Sequence, residues 1–176
     1  ALAEVIFGDY NPGGKLPVTF YESTKDLPDF LDYSMENRTY RYFRGVPQYA
    51  FGYGLSYTTF EVGKGKISKK SMKTDGSVKI TVPVENTGDR EGTETIQVYV
   101  KALDYAEAPI KSLKGFQKIN LKAGEKGKVE IVLDGESFQY YDPSIDELST
   151  RTGRYQILYG TSSLEKDLKS IDFVVK

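Results

Sequence analysis

The 176-residue chain contains no histidine, no cysteine and no tryptophan. Without histidine or cysteine it cannot form a Ser-His-Asp or Cys-His nucleophile system, a disulfide, or a zinc site built on imidazole or thiolate. Any catalysis by this chain would have to rest on carboxylates, lysine or tyrosine. The missing cysteines also leave the cellular compartment undetermined.

Long apolar runs are missing as well. No stretch approaches the roughly 20 residues needed to cross a bilayer, and no basic block favours anionic lipid. The 24 basic and 25 acidic residues are interspersed and give a net charge of −1. We therefore expect neither a membrane nor a nucleic acid as partner.

Aromatic residues are abundant, with 14 Tyr and 9 Phe, many of them between residues 40 and 60. Large rings at this position are interpreted either as packing between two domains or as a platform on which sugar rings stack. A junction between domains favours packing, and Arg38, Arg41 and Arg44 are expected to bridge to carboxylates or carbonyls of the neighbouring domain. The residues assigned to interdomain packing are Arg38, Tyr40, Arg41, Tyr42, Phe51, Tyr53, Tyr57 and Phe60.

The first 32 residues read as an irregular remnant of a larger domain. Residues 1–7 have helical propensity, and Gly8 is placed to end the helix in a left-handed turn. This helix has no N-cap, so we expect the chain to start inside an element rather than before one. The region buries too little surface to be a domain alone and is expected to lie against something else. Residues 33–60 then form an aromatic-rich linker.

Residues 61–176 follow a period of two, as in Val78, Ile80, Val82 and Val84. About seven short strands separated by turns predict an all-β fold, an antiparallel immunoglobulin or fibronectin III-like β-sandwich. Tyr155, at the start of the sixth strand, is in the position of a tyrosine corner.

These stretches resemble glycoside hydrolase family 3. Residues 3–20 (AEVIFGDYNPGGKLPVTF) are similar to the end of that family's α/β sandwich domain. Residues 38–42 (RTYRY) and 51–60 (FGYGLSYTTF) resemble its linker. Residues 84–88 (VENTG), 97–100 (QVYV) and 113–118 (LKGFQK) resemble its fibronectin type III-like domain. Many members carry a Trp before the position of Gly153, and this chain has none.

The resemblance implies a β-glucosidase or β-xylosidase-like parent that hydrolyses β-linked glycosides with retention. Its nucleophile, an Asp, lies in an N-terminal (β/α)8 barrel, and its acid/base, usually a Glu, lies in the α/β sandwich domain before the motifs seen here. Retention needs two carboxyl groups about 5–5.5 Å apart. Neither position exists in this chain, so we expect it to be inactive alone, with no catalytic, cofactor or metal residues.

Two loops contain candidate residues outside the linker. Asp142, Asp146 and Glu147 form the densest acidic cluster near a loop. We expect these carboxylates to be solvated, in preference to forming a catalytic pair or a calcium site. In some family members a loop of the terminal domain borders the sugar site, and Asp104, Tyr105 and Glu107 are the candidates by position.

The resulting hypothesis is a non-catalytic structural domain that stabilises the catalytic domains upstream in the same polypeptide. The parent's substrate would be an oligo- or polysaccharide, and its location the periplasm or the exterior of the cell. One alternative is a carbohydrate-binding module that uses exposed aromatics of residues 40–57. Another is a purely architectural or oligomer-forming domain.

Overall fold

The structure is a computed structural model that describes residues 2–176. It has two short α-helices, α1 (Leu2–Phe7) and α2 (Thr39–Tyr42), and 3-10 turns at Thr24–Asp26, Glu136–Phe138 and Glu165–Asp167. The strands are β1 (Phe20–Tyr21), β2 (Pro47–Tyr49), β3 (Phe60–Val62), β4 (Lys66–Ile67), β5 (Ser71–Met72), β6 (Ser77–Asn86), β7 (Gly92–Ala102), β8 (Ser112–Leu121), β9 (Lys126–Asp134), β10 (Tyr140–Asp142), β11 (Glu147–Ser149), β12 (Gly153–Gly160) and β13 (Leu168–Val175).

Two sheets form a β-sandwich, which confirms the predicted fold class. One sheet has the order β5-β13-β12-β7-β8. In the other sheet, β3, β4 and β9 each pair with β6. Every pairing within them is antiparallel except that of β13 with β5. The predicted first strand, near residues 60–67, is divided into β3 and β4. Pro83 of β6 faces this break and accepts a bond from the Gly63 N–H, and since it has no N–H itself it cannot complete the ladder there.

The core lies between the two sheets. The predicted inward face of β6 is fully buried, and it packs with apolar residues of β7 and β9. Phe138 lies in the same core, edge-on to Tyr155 at 5.4 Å between ring centroids. The Tyr155 hydroxyl donates to the Arg151 carbonyl at 2.7 Å, which confirms the tyrosine corner.

The chain that precedes the sandwich covers the outer face of the five-stranded sheet at β7. Most of β7 is buried on both faces, including the outward Thr95, Gln97 and Tyr99. The predicted helix at the start is present as α1, and Gly8 ends it with φ +82°. Among the described residues no helix has the length and apolar character to cross a membrane.

Candidate interdomain surface and loop cluster

Tyr40 and Phe51 attach the aromatic segment to the sandwich. Their rings stack with centroids 4.3 Å apart, and Tyr40 also meets Tyr99 of β7 edge-on at 5.8 Å. The Tyr40 hydroxyl accepts a hydrogen bond from the Leu113 N–H at 2.9 Å. Burial raises the pKa of Tyr40, so its phenol remains neutral at physiological pH. These two aromatics therefore pack the linker onto the sheet within this chain.

Gln97 holds the same segment through polar contacts beneath the rings. Its Nε2 donates to the Gly52 carbonyl at 3.1 Å and to the Thr161 carbonyl at 2.7 Å, while its Oε1 accepts from the Tyr99 hydroxyl at 2.6 Å. Gly52 has φ +79°, and a Cβ there would lie 2.0 Å from the Gln97 Oε1. Only glycine fits this close approach of the linker to the strand.

The three arginines make different contacts. Arg38 donates from Nε to the Ser34 carbonyl at 2.9 Å and from its guanidinium to the Asp32 carbonyl. Arg41 donates to the Ser112 hydroxyl at 3.2 Å, and its carbonyl accepts from the Ile110 N–H at 2.8 Å. Arg44 is exposed; its backbone N–H donates to the Asn37 Oδ1 at 3.3 Å, and its guanidinium makes no hydrogen bond to any described residue. Their bridging to a neighbouring domain stays a prediction.

The remaining residues assigned to the linker surface also have partners inside the chain. Tyr57 donates to the Val5 carbonyl at 2.7 Å and carries the Arg90 guanidinium over its ring at 5.5 Å. Phe60 lies in β3, at the start of the sandwich. Tyr42 lies under the Arg41 guanidinium at 6.0 Å, and Tyr53 lies beside Tyr49 at 5.6 Å between centroids.

A wide apolar surface remains uncovered on the first 55 residues. Phe7, Phe30 and Tyr33 are 81%, 89% and 88% exposed, and α1 buries none of its residues. The same 55 residues also form an open cleft of about 770 Å³ lined mainly by apolar side chains, among them Leu16, Phe20, Tyr49, Tyr53 and Leu55. Large apolar surface left exposed is typical of a site of interaction with another protein surface.

The candidate loop residues Asp104, Tyr105 and Glu107 form a polar cluster with the start of β12. Asp104 accepts from the Arg154 backbone N–H at 2.7 Å and from its Nε at 2.9 Å, and these bonds hold the pKa of Asp104 below its ordinary value. The Tyr105 hydroxyl donates to the Thr152 carbonyl at 2.5 Å. The loop is thus tied to the end of the sandwich at several points.

Arg151 lies at the centre of this cluster. Its guanidinium is 4.0 Å from the centre of the Tyr105 ring and 3.0 Å from carboxylate oxygens of both Glu107 and Asp142. One cation therefore joins the loop between β7 and β8 to the β10–β11 hairpin. Cation–π and ion-pair contacts together restrain the loop more than either would alone.

The acidic stretch of residues 142–147 differs in part from the expectation. Asp142 is buried, not solvated; it accepts a hydrogen bond from Ser144 and pairs with Arg151. These contacts lower the pKa of Asp142, and Ser144 contributes most. Asp146 and Glu147 are exposed as expected, and Asp146 accepts from the Tyr141 hydroxyl. In residues 2–176, no three acidic groups converge in a way that could hold a metal ion.

Two buried polar contacts were not identified from the sequence. Asn86 is fully buried at the end of β6 and joins three segments of the chain. Lys15 and Glu94 form an ion pair at 2.7 Å between the first segment and β7. The residue types were visible, but the Lys15–Glu94 pairing spans about 80 positions and the Asn86 contacts span up to 35, so neither has a local signal.

Comparisons with known proteins agree with this architecture. Residues 94–163 match the fibronectin type III-like domain family, and residues 1–57 match the glycosyl hydrolase family 3 C-terminal domain. A xylan 1,4-β-xylosidase of Xylanibacter ruminicola is 51% identical over 97% of this chain. A periplasmic β-glucosidase of Salmonella typhimurium is 39% identical over 93% of it.

Solved structures give the same result in three dimensions. A β-glucosidase from Erythrobacter marinus superposes over 99% of the chain with a TM-score of 0.83 and 34% identity, covering 23% of that protein. A β-glucosidase from Kluyveromyces marxianus gives 0.84 and 35%, covering 22%. The chain belongs to glycoside hydrolase family 3 and corresponds to the C-terminal part of its β-glucosidases and β-xylosidases. It spans 20% of the Xylanibacter relative and 23% of the Salmonella relative.

Proposed function

We propose that this chain is a non-catalytic structural domain of a retaining β-glucosidase or β-xylosidase, and that it stabilises the catalytic domains of the same polypeptide. The main support is the uncovered apolar surface of the first 55 residues. Leaving Phe7, Phe30 and Tyr33 in water forfeits the burial free energy of three large rings, about 1.5–3 kcal/mol each. The surface that would bury them belongs to the remainder of a polypeptide as long as the relatives described above.

The chemistry of the reaction also supports this assignment. Retention requires two carboxyl groups about 5–5.5 Å apart, one as nucleophile and one as acid/base. Asp104 and Asp142 accept hydrogen bonds, mainly from Arg154 and Ser144 respectively, that lower the pKa of each carboxyl, and a lowered pKa opposes a role as proton donor. Catalysis would therefore use carboxylates of the upstream domains.

The isolated chain is expected to release no product from a chromogenic β-glucoside or β-xyloside. The full-length polypeptide, assayed beside it at equal molar concentration, is the positive control. The proposal would be overturned if the purified chain turned over substrate and if this activity disappeared when one of the chain's own acids was replaced by the amide.

We further propose that the loop with Asp104, Tyr105 and Glu107 borders the substrate cleft of the full-length enzyme. Its support is the restraint described above, since a loop held by Arg151 and Arg154 would present Tyr105 in one position. Such preorganisation lowers the entropic cost of contacting a ligand.

Tyr105→Ala in the full-length enzyme should raise KM for an oligosaccharide about three- to tenfold and leave kcat unchanged, because a lost ring contact weakens binding alone. Tyr141→Ala, at an exposed tyrosine of the neighbouring hairpin, is the matched control. Equal KM values for the two variants would contradict the proposal.

The location of the parent is proposed as the periplasm or the cell exterior, in keeping with the periplasmic β-glucosidase among the relatives. A fusion to a reporter that functions only after export would test it. A fusion that is synthesised at full length but shows no reporter activity would exclude it.

A carbohydrate-binding role remains the alternative proposal, and it is favoured by the open cleft that Phe20 and Tyr49 line. Against it, Tyr40 and Phe51 are already used to attach the linker to the sheet. Affinity electrophoresis in xylan or cellulose would separate the two roles. Retardation that is lost in Tyr49→Ala would favour the binding module.

A further inference from the structure

A second cavity lies between the linker and the sandwich, and its lining shares no residue with that of the apolar cleft. Its volume is about 320 Å³, and its wall is made by α2 with the residues that follow it, by the end of the β7–β8 loop and by the turn after β12. This volume is at the lower end of the range for small-molecule sites. It has room for one sugar ring and not for a packed protein segment.

The walls of this cavity are fixed by backbone hydrogen bonds. The Ile110 N–H donates to the Arg41 carbonyl at 2.8 Å, and the Ser163 N–H donates to the Phe51 carbonyl at 2.9 Å. The turn after β12 is closed by Ser162, whose hydroxyl donates to Asp167 at 2.6 Å. The cavity is thus formed by the docking of the linker and needs no further rearrangement.

The polar groups in the cavity make fewer hydrogen bonds within the protein than they could. Lys111 is 6% exposed, yet its ammonium, with three donors, makes one ion pair, to Glu165 at 2.9 Å. The Thr19 hydroxyl oxygen is buried and has no hydrogen-bond partner among the described residues. Buried donors and acceptors without partners are costly, so a site that contains them favours a ligand or water able to bond with them.

The composition of the lining indicates the class of ligand. A cation and a carboxylate side by side offer both donors and acceptors, which matches the hydroxyl groups of a sugar. The rings of Tyr40 and Phe43 line the same cavity and provide an apolar surface for a pyranose face. Lys111 and Glu165 neutralise each other, and the Arg44 guanidinium in the same lining adds a further set of donors and a positive charge.

We propose that this cavity binds one pyranose unit of a β-linked oligosaccharide, held by Lys111 and Glu165 against Tyr40 and Phe43. The choice of a β-linked sugar rests on the proposed function of the parent. The site itself rests on the buried ammonium, the unpartnered hydroxyl and the size of the cavity. It is separate from the cleft lined by Tyr49 and Tyr53.

Titration of the ¹⁵N-labelled chain with xylobiose or cellobiose, followed by NMR, tests the proposal. We expect amide shifts at Gly45, Lys111 and Leu164, and an affinity about tenfold weaker in Glu165→Gln, because hydrogen bonds to a charged group are worth about that factor. Glu165 is mostly exposed, so this variant should fold. Lys166→Gln, next to it and outside the cavity, should bind like the unaltered chain.

Absence of shifts at saturating sugar, or equal affinity in Glu165→Gln, would overturn the site. Shifts confined to Tyr49 and Tyr53 would assign the sugar to the apolar cleft and would also overturn it. The sugar signals in the same spectra report separately on the proposed function. Cleavage of the disaccharide would contradict the non-catalytic role, whereas intact sugar without amide shifts would contradict only the cavity.

Discussion

Asn86→Asp is expected to destabilise the sandwich by about 4 kcal/mol at pH 7, a large share of the 5–15 kcal/mol by which domains are stable. The Asn86 side chain accepts from the Thr58 hydroxyl at 2.7 Å and from the Gly88 N–H at 3.1 Å. Its amide donates to the Arg90 carbonyl at 2.8 Å and the Leu121 carbonyl at 3.0 Å. Aspartate has the same shape, so the substitution opens no cavity.

The loss comes from placing a carboxylate against two carbonyl oxygens without water. Burial and these acceptors raise the folded-state pKa of the new carboxyl above its unfolded value near 3.9. A group with a raised folded pKa favours folding least at high pH. The variant should therefore approach the unaltered chain below about pH 4, and its deficit should grow as the pH rises towards the folded pKa.

Urea unfolding followed by far-UV circular dichroism between pH 3 and 8 would measure this difference. Asn37→Asp, at an exposed position where the side chain accepts a hydrogen bond from the Arg44 N–H, is the matched control and should cost less than about 1 kcal/mol. A loss of stability in Asn86→Asp that did not depend on pH, or equal losses in the two variants, would show that the hydrogen bonds of the Asn86 side chain do not stabilise the sandwich.

The strands of the sandwich could be predicted because burial on one face imposes a period of two. Val78, Ile80 and Val82 show this period without ambiguity, and all three are buried as predicted. The division of the first strand was not predicted. It follows from the contact between Gly63 and Pro83, which are 20 positions apart. Neither stretch of sequence contains a pattern that predicts this contact.

For the candidate site, the residue types could be predicted from the sequence better than the contacts that these residues make. The aromatic linker was recognised as a packing element, but its main contact, Gln97, reads as an outward polar residue of an ordinary strand. The loop with Asp104 was proposed from its place in the chain alone. Its restraints come from Arg151 and Arg154, about 45–50 residues away, and only the fold brings them together.

The covering of β7 also explains why the linker and the sandwich form one unit. A sheet with one face in the core normally exposes polar residues on the other face. Here Gln97 and Tyr99 on that other face are buried, and residues of the 40–60 segment, Gly52 and Tyr40, contact them. The linker is therefore positioned by the sandwich, and with it the apolar surface proposed to meet the catalytic domains.

Gln97→Leu is expected to release this segment from the sheet and to cost about 3 kcal/mol of stability. Leucine keeps the volume but leaves the Tyr99 hydroxyl and the carbonyls of Gly52 and Thr161 buried without partners. Trypsin should then cleave at Arg41 and Arg44 at least about tenfold faster, because local opening becomes easier. Gln156→Leu removes a surface hydrogen bond to Asp172 on the neighbouring strand and should change neither quantity appreciably. If both variants were cleaved at the same rate, Gln97 would not be what holds the linker in place.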